Sequence, residues 1–152
     1  MSVAEARGLL AAASEDPEDP LIAARDAAVL LLLYGCGLRI GEALALTPAD
    51  WAASRGAFLR VRGKGDKIRL VPLLPIARRA VEAYRARLPA EPAPDAPLFR
   101  GAKGGALSPR VVQRLVARLR GALGLPPTAT PHALRHAFAT HLLAAGADLR
   151  QI

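Results

Sequence analysis

The sequence is poor in cysteine, with Cys36 alone among 152 residues. A single cysteine cannot form a disulfide within the chain. No cysteines and histidines have the spacing of metal ligands, so neither a metal site nor a cofactor is expected. Such sparse cysteine usage is typical of a reducing compartment, and the expected location is therefore the cytoplasm.

Long apolar runs are lacking too. The longest, residues 27–38, has 12 residues, whereas a helix needs about 20 to cross a bilayer. The first residues, MSVAEARG, have no charged segment followed by an apolar block, as a signal peptide would. We therefore expect no membrane partner.

Acidic residues are few beside basic ones: 13 Asp and Glu stand against 21 Lys and Arg, a net charge of +8. This imbalance points first to a polyanionic partner such as nucleic acid, although a coding bias toward arginine would give the same totals. The 52% apolar and 22% charged residues argue against intrinsic disorder. The length suits one domain with a sizeable core.

Hydrophobic periodicity predicts a mainly helical α+β fold with one small antiparallel β-hairpin. The hairpin has strands at 58–62 and 68–71 and a basic, glycine-containing turn at 63–67. The second helix is apolar after Asp26 and is expected to be the buried central helix, and the third should stop at Thr47 and Pro48. The predicted helices span 3–13, 21–34, 38–46, 76–88, 108–123 and 130–143.

The last of these helices opens with a group suited to a phosphate. Thr130 is the predicted N-cap and Pro131 the first helical residue. His132 and Arg135, three positions apart, leave the same face. Backbone donors, an imidazole and a guanidinium together suit an anion. A capping histidine and a solvated arginine would have the same spacing, so this motif alone does not decide.

Four motifs occur in order, and together they carry a resemblance. They are GLRIGEAL, GKGDKIRLVPL, HALRH and ATHLLAAGADLRQI. In this combination the chain closely resembles the catalytic domain of tyrosine recombinases, most nearly those of the Xer and phage-integrase type, from about residue 21 to the last. The resemblance implies that fold and an enzyme of site-specific DNA recombination, which cleaves and rejoins strands through a 3′-phosphotyrosyl intermediate.

The resemblance also implies roles for the residues in these motifs. Arg39 and Arg135 would clamp the scissile phosphate, because planar guanidinium forks stabilise charge developing on its non-bridging oxygens. Lys64 would protonate the leaving 5′ oxygen as general acid, and His132 would bind or transfer a proton beside the phosphate. Glu42 would orient Arg39. We therefore expect the four cationic or imidazole side chains to converge on one basic concavity.

Each role has a structural alternative. Arg39 could cap the preceding helix, Lys64 could be an ordinary turn lysine, and Glu42 could be a surface acid. Lys67 is a rival to Lys64 and also a candidate contact to DNA.

A basic stripe adds a second expectation about DNA. Arg110, Arg114 and Arg118 lie at steps of four on the helix 108–123, without acidic partners three or four residues away. This pattern predicts contacts with the DNA backbone, although a solvated helix face would look the same.

The chain departs from the family's pattern at its end. In the family, the last motif leads to a second active-site His or Trp and then to the tyrosine nucleophile, whereas this sequence stops at Ile152. Tyr34 and Tyr84 lie in predicted helices without the family's sequence context, so no nucleophile is assigned in this chain.

The expected molecule is therefore a single catalytic-type domain over 1–152, without the family's N-terminal DNA-clamping domain and inactive alone. Double-stranded DNA and further recombinase protomers, which form a tetrameric synapse in the family, are the implied partners. We also expect an exposed apolar patch at Leu142, Leu143 and Leu149.

Two other hypotheses remain open at this stage. The chain could be a DNA-binding module without a catalytic role, in which the arginines only hold backbone phosphate. It could also be a helical interaction domain whose basicity is compositional. Salt-dependent DNA binding would separate the interaction domain from the recombinase domain and the DNA-binding module.

Overall fold

The computed structural model describes residues 3–54 and 56–144, with side chains for 8–54 and 56–142. In this part of the chain, helices dominate and two antiparallel strands form the sheet. A π-helical turn (Leu31–Gly35) continues the second helix, and a 3₁₀ turn (Lys64–Asp66) joins the strands. The other elements are α1 (Val3–Ala13), α2 (Pro20–Leu30), α3 (Ile40–Ala45), α4 (Pro48–Ala53), β1 (Phe58–Arg62), β2 (Ile68–Pro72), α5 (Pro75–Arg87), α6 (Pro109–Ala122) and α7 (Pro131–Ala144).

The predicted α+β architecture is confirmed, with one helix that the sequence analysis missed. Thr47 and Pro48 do not stop the chain but begin α4. The Thr47 hydroxyl accepts a hydrogen bond from the Asp50 amide (3.1 Å), and the Asp50 carboxylate accepts one from the Thr47 amide (3.3 Å). This reciprocal capping box, with Pro48 at the first helical position, explains the early restart.

The central helix is buried as predicted, but it changes its winding. Residues 28–33 are each at most 3% exposed, and α2 gives way to the π turn at Leu31. The Cys36 amide donates to the Leu31 carbonyl five residues back, and the Leu38 amide donates to the Leu32 carbonyl. A wider turn of this kind changes the direction of the chain, and π-bulges are frequent near functional sites. Gly37 and the start of α3 follow directly.

A buried ion pair fixes the middle of α2 to its neighbours. Arg25 and Asp26 are 1% and 0% exposed, and their Nη2 and Oδ1 atoms lie 2.9 Å apart. Asp26 also accepts hydrogen bonds from the Ser14 hydroxyl (2.9 Å) and the Glu15 amide (2.8 Å) at the end of α1. Arg25 donates to the Arg100 carbonyl (3.1 Å). The pair therefore joins three segments distant in sequence.

Tyr84 is a buried core residue that bonds to the loop after α5. Its side chain is 1% exposed, and its hydroxyl donates to the Leu98 carbonyl (3.1 Å) and accepts from the Arg100 amide (3.0 Å). The ring stacks on Phe99 at a centroid distance of 5.3 Å. These contacts fasten the loop after α5 to the domain.

Helix α7 begins where the sequence predicts. The Thr130 hydroxyl accepts from the Ala133 amide (3.1 Å), which makes it the N-cap. Phe138 is buried, with its ring 6.0 Å from that of Tyr34. Leu142 is 1% exposed, so the expectation that it lies in an exposed patch is wrong, because α7 turns this side chain into the core. The side chain of Leu143, Leu149 and the GADLR stretch lie outside the described residues.

None of the helices described here has the length and apolar character needed to span a bilayer.

We predict that Asp26→Asn lowers the free energy of unfolding by about 3–5 kcal/mol, because it removes the nearest counter-ion of the buried Arg25 charge and leaves the more distant, partly exposed Glu15 at 3.6 Å. Urea denaturation followed by circular dichroism measures the loss. The matched control is Glu91→Gln, which removes an acid from an exposed bridge to Arg85 and should change stability little. Equal losses for the two variants would contradict the importance of the buried pair.

Candidate functional site

A basic cleft of about 990 Å³ opens between the start of α3, the hairpin turn and α7. Its side chains include five cations and one carboxylate, so it carries a strong positive field. The lining residues are Gly37, Arg39, Glu42, Gly63, Lys64, Lys67, Ile68, Arg69 and Arg135. Residues from three distant motifs of the sequence therefore meet at one surface.

Arg39 reaches the cleft from the N-cap position of α3. Its backbone is extended (φ −79°, ψ 156°), and its side chain is exposed. The Arg39 amide donates to Glu42 Oε1 at 2.8 Å, so the carboxylate at the third helical position fixes the backbone that carries the arginine. Glu42 is thus bonded to the main chain of Arg39, and its role in orienting the Arg39 side chain stays a prediction.

Arg135 enters the same cleft from the first turns of α7. Gly37 adopts φ +81°, a left-handed conformation that favours glycine. A Cβ atom at Gly37 would lie 3.8 Å from Arg135 Nη2, so the guanidinium rests against the backbone just ahead of Arg39. Arg135 therefore lies beside the turn that leads to Arg39, and both predicted clamp arginines line the same cleft.

The hairpin turn brings Lys64 and Lys67 to the same cleft. The Gly63 amide donates to the Lys67 carbonyl at 2.7 Å and closes the turn. Gly65 and Asp66 both have left-handed backbones, with φ of 73° and 60°, a conformation that glycine and aspartate tolerate better than most residues. Both lysines are exposed and line the cleft, so Lys67 remains an alternative to Lys64 as the general acid.

Arg69 is a cleft residue that the sequence analysis missed. Its Nε and Nη2 atoms lie 3.0 and 2.9 Å from the two oxygens of Glu42, a bidentate pair. In the strand register Val61 faces Arg69 and Leu59 faces Val71, which puts Arg69 on the inward side. The length of the turn could have revealed this. A five-residue turn pairs Arg62 with Ile68, and this register places Arg69 on the same face of the hairpin as the buried Val61.

The environment of Glu42 keeps it ionised. The hydrogen bonds from Arg69 lower the pKa of this carboxyl most strongly, and the bond from the Arg39 amide adds to the effect, while burial opposes it. With the Glu42 charge paired to Arg69, four cations of the cleft remain without a paired acid among the lining residues. Such a surface favours an anion with several oxygens.

The remaining predicted residues lie elsewhere. His132 is exposed in the first turn of α7, but it is not among the described residues that line the cleft, so the expected convergence holds for Arg39, Lys64 and Arg135 and not for His132. Its role remains a prediction.

The basic stripe on α6 is not uniform. Arg110 and Arg114 are exposed, whereas Arg118 Nε donates to the Ala13 carbonyl at 2.7 Å and caps the end of α1. The bond gives Arg118 a structural role. Contact of all three arginines with DNA stays a prediction.

Neither tyrosine of the chain belongs to the cleft as described. Burial raises the pKa of the Tyr34 phenol, although the charges of Arg120 and Arg135 oppose the shift. Burial likewise raises the pKa of Tyr84. Both environments disfavour a phenolate. In the described part of the chain, no histidine, cysteine, aspartate and glutamate side chains are grouped to hold a metal ion.

Comparison with known proteins places these features in a family context. Residues 1–152 match the phage integrase family. The chain is 61% identical over 135 residues to the tyrosine recombinase XerC of Agrobacterium fabrum, a match covering 89% of this chain and 42% of that protein. The chain therefore spans less than half the length of this relative.

Solved recombinase structures share the fold. The crystal structure of the XerA recombinase superposes with a TM-score of 0.62 at 30% identity, over 97% of this chain and 50% of the other. The XerH site-specific recombinase, bound to its difH substrate in a pre-cleavage complex, gives 0.63 at 25% identity, over 95% and 43% of the two chains.

We predict a pH-dependent contribution of Glu42 to stability. Because its pKa is lower in the folded state than in the unfolded chain, its contribution is fully present above the unfolded pKa and is lost as the pH falls through the folded pKa. The stability difference between the parent chain and Glu42→Gln should shrink as the medium becomes acidic.

Carboxyl ¹³C NMR titration checks the cause directly. Arg69→Ala should move the Glu42 pKa upward, since it removes the largest stabilising contact. A Glu42 pKa that is the same with and without Arg69 would refute the explanation.

Proposed function

Because the chain belongs to the phage integrase family, we propose that it supplies the phosphate-binding part of a catalytic domain for site-specific DNA recombination. The observation that carries this proposal is the cleft, where Arg39, Lys64 and Arg135 meet although they come from three separate motifs. A related recombinase of the same fold has been solved on its DNA substrate, which supports duplex DNA as the partner.

Arg39 and Arg135 are proposed to hold the scissile phosphate. In the reaction a tyrosine oxygen attacks phosphorus, the bond from phosphorus to the 5′ oxygen breaks, and a 3′-phosphotyrosyl ester forms. Negative charge grows on the non-bridging oxygens during this exchange. Two guanidinium forks fixed beside the same cleft stabilise that charge without a metal ion.

Lys64 is proposed to give its proton to the leaving 5′ oxygen, which would otherwise depart as an alkoxide. The position of the lysine in the hairpin turn at the cleft rim supports this role. Lys67 lines the same rim and remains the rival donor. His132 lies close in sequence to Arg135, and we propose that DNA binding brings its imidazole toward the phosphate.

The chain alone is proposed to bind DNA phosphate without cleaving it. Tyr34 is half-buried and Tyr84 is buried, and neither lines the cleft in the described part of the chain. The nucleophile would come from residues beyond this sequence. Further recombinase protomers on one duplex, and a cytoplasmic location where DNA is accessible, belong to the same proposal.

A DNA-binding module without catalysis is the second candidate. The exposed arginines Arg110 and Arg114 on α6 favour backbone contact that needs no chemistry. The two candidates differ in the cleft, because only a catalytic role requires Lys64 there.

We predict weak duplex binding with little sequence preference and a steep salt dependence, because phosphate contacts dominate. Arg135→Ala should lower the slope of log affinity against log salt by about one. Fluorescence anisotropy with a labelled duplex measures both. Arg87→Ala, which removes an equal charge from the exposed end of α5, is the control. An affinity independent of salt would contradict any DNA role.

For catalysis we predict that the chain alone gives no covalent adduct with a nicked duplex. A chimera in which this chain replaces the matching segment of the Agrobacterium fabrum relative should cleave, because it regains the nucleophile. Arg135→Ala in the chimera should then lose about a hundredfold or more in rate, as for a transition-state donor.

Denaturing gels and mass spectrometry detect the adduct. A phosphotyrosyl link at Tyr34 or Tyr84 of the chain alone would overturn the prediction. An active chimera indifferent to Arg135→Ala would contradict the proposed role of Arg135, and a chimera that binds the duplex without cleaving it would favour the binding module.

A further inference from the structure

The Glu42 carboxylate lies against the Arg39 backbone, strand β2 and the start of the hairpin turn. It accepts from the Arg39 amide at 2.8 Å and from two nitrogens of Arg69 at 2.9 and 3.0 Å. A Cβ atom at Gly63 would lie 3.8 Å from Glu42 Oε2. Gly63 directly precedes Lys64, so a single buried carboxylate links the helix start that carries Arg39 with the turn that carries Lys64.

Among the described side chains, only that of Arg69 donates hydrogen bonds to Glu42, and it belongs to the hairpin. Because β2 leaves the turn at Ile68, Arg69 is the second residue of the strand, with its partner Val61 across the ladder. Its fork engages both carboxylate oxygens, and a bidentate pair restricts direction as well as distance. The hairpin therefore cannot rotate about this contact without losing a hydrogen bond.

We infer that Arg69 is a positioning residue, which clamps the hairpin to Glu42 and thereby holds the Lys64 turn in register with Arg39. The inference rests on the proposed function for the identity of the reaction. Arg69 does not act on the phosphate; it acts through the turn. Displacing a proton donor by about 1 Å is enough to reduce a rate about a hundredfold.

The chain contains a matched control for this inference. Arg62, in the other strand of the hairpin, pairs with Asp50 through its Nε at 3.0 Å. Asp50 is also a buried carboxylate at the third position of a helix, and it also accepts from the residue that begins that helix. Arg62→Ala and Arg69→Ala therefore each remove an arginine–carboxylate pair from one hairpin, the first held by one hydrogen bond and the second by two, and only the second pair lies at the cleft.

The first experiment uses the chain itself. Backbone ¹⁵N relaxation should show the order parameters of residues 63–67 falling toward about 0.6 in Arg69→Ala, the level of flexible backbone. The turn should stay as ordered as in the parent chain in Arg62→Ala, although thermal unfolding should show similar destabilisation of both variants. A turn that is equally ordered in the two variants overturns the inference, whatever the cleavage result.

The second experiment uses the active chimera and two DNA substrates. In one the leaving atom is the normal 5′ oxygen; in the other it is a 5′-bridging sulfur. Thiols are far more acidic than alcohols, so sulfur leaves as a thiolate without a proton donor. Arg69→Ala should slow oxygen cleavage by about tenfold or more and sulfur cleavage by much less, following Lys64→Ala, while Arg62→Ala should affect both substrates alike.

An Arg69→Ala defect of equal size on both substrates, with Lys64→Ala rescued by sulfur, would contradict the link between Arg69 and Lys64. If Lys64→Ala itself is not rescued by sulfur, the proposed role of Lys64 fails instead. The relaxation comparison then still decides whether Arg69 holds the turn. Arg69→Lys, which keeps the charge but not the fork, should be defective as well.

Discussion

The cleft depends on the contact between one buried carboxylate and the segments around it. Glu42 is 8% exposed, and its oxygens accept from the Arg39 backbone and the Arg69 fork. Burying a carboxylate is costly unless it is paired and hydrogen-bonded, so this arrangement is highly selective for one relative placement of α3 and the hairpin. The contacts of Glu42 therefore determine both the charge distribution of the cleft and the relative position of its segments.

Gathering cations at one surface opposes folding, and the rest of the structure offsets it. Like charges repel each other in the cleft, and a phosphate bound there would relieve that repulsion. An apolar core holds these cations in place, because residues 28–33 of the central helix are almost wholly buried. The π turn at the end of that helix leads to Gly37, which lies next to the Arg135 guanidinium. The apolar core thus supplies the stability that the crowded cations of the cleft oppose.

Much of this could be predicted from the sequence, and the failures have physical causes. Helical periodicity, the Thr130 cap and the glycine turn located the elements, and the order of motifs located Arg39, Lys64 and Arg135. The π turn escaped prediction because Leu and Tyr carry no signal for its winding. Arg69 was missed because its neighbours in the strand, Ile68 and Leu70, are apolar, which suggests that they face the core. They are exposed instead, and the strand register places Arg69 on the inward face.

The most direct test of the account is a crystal structure of this chain bound to duplex DNA. We predict one backbone phosphate within hydrogen-bonding distance of both the Arg39 and the Arg135 guanidinium groups, with the Lys64 turn closed over its 5′ oxygen. A duplex that lies along the exposed arginines of α6 while the cleft holds no phosphate would contradict the central claim.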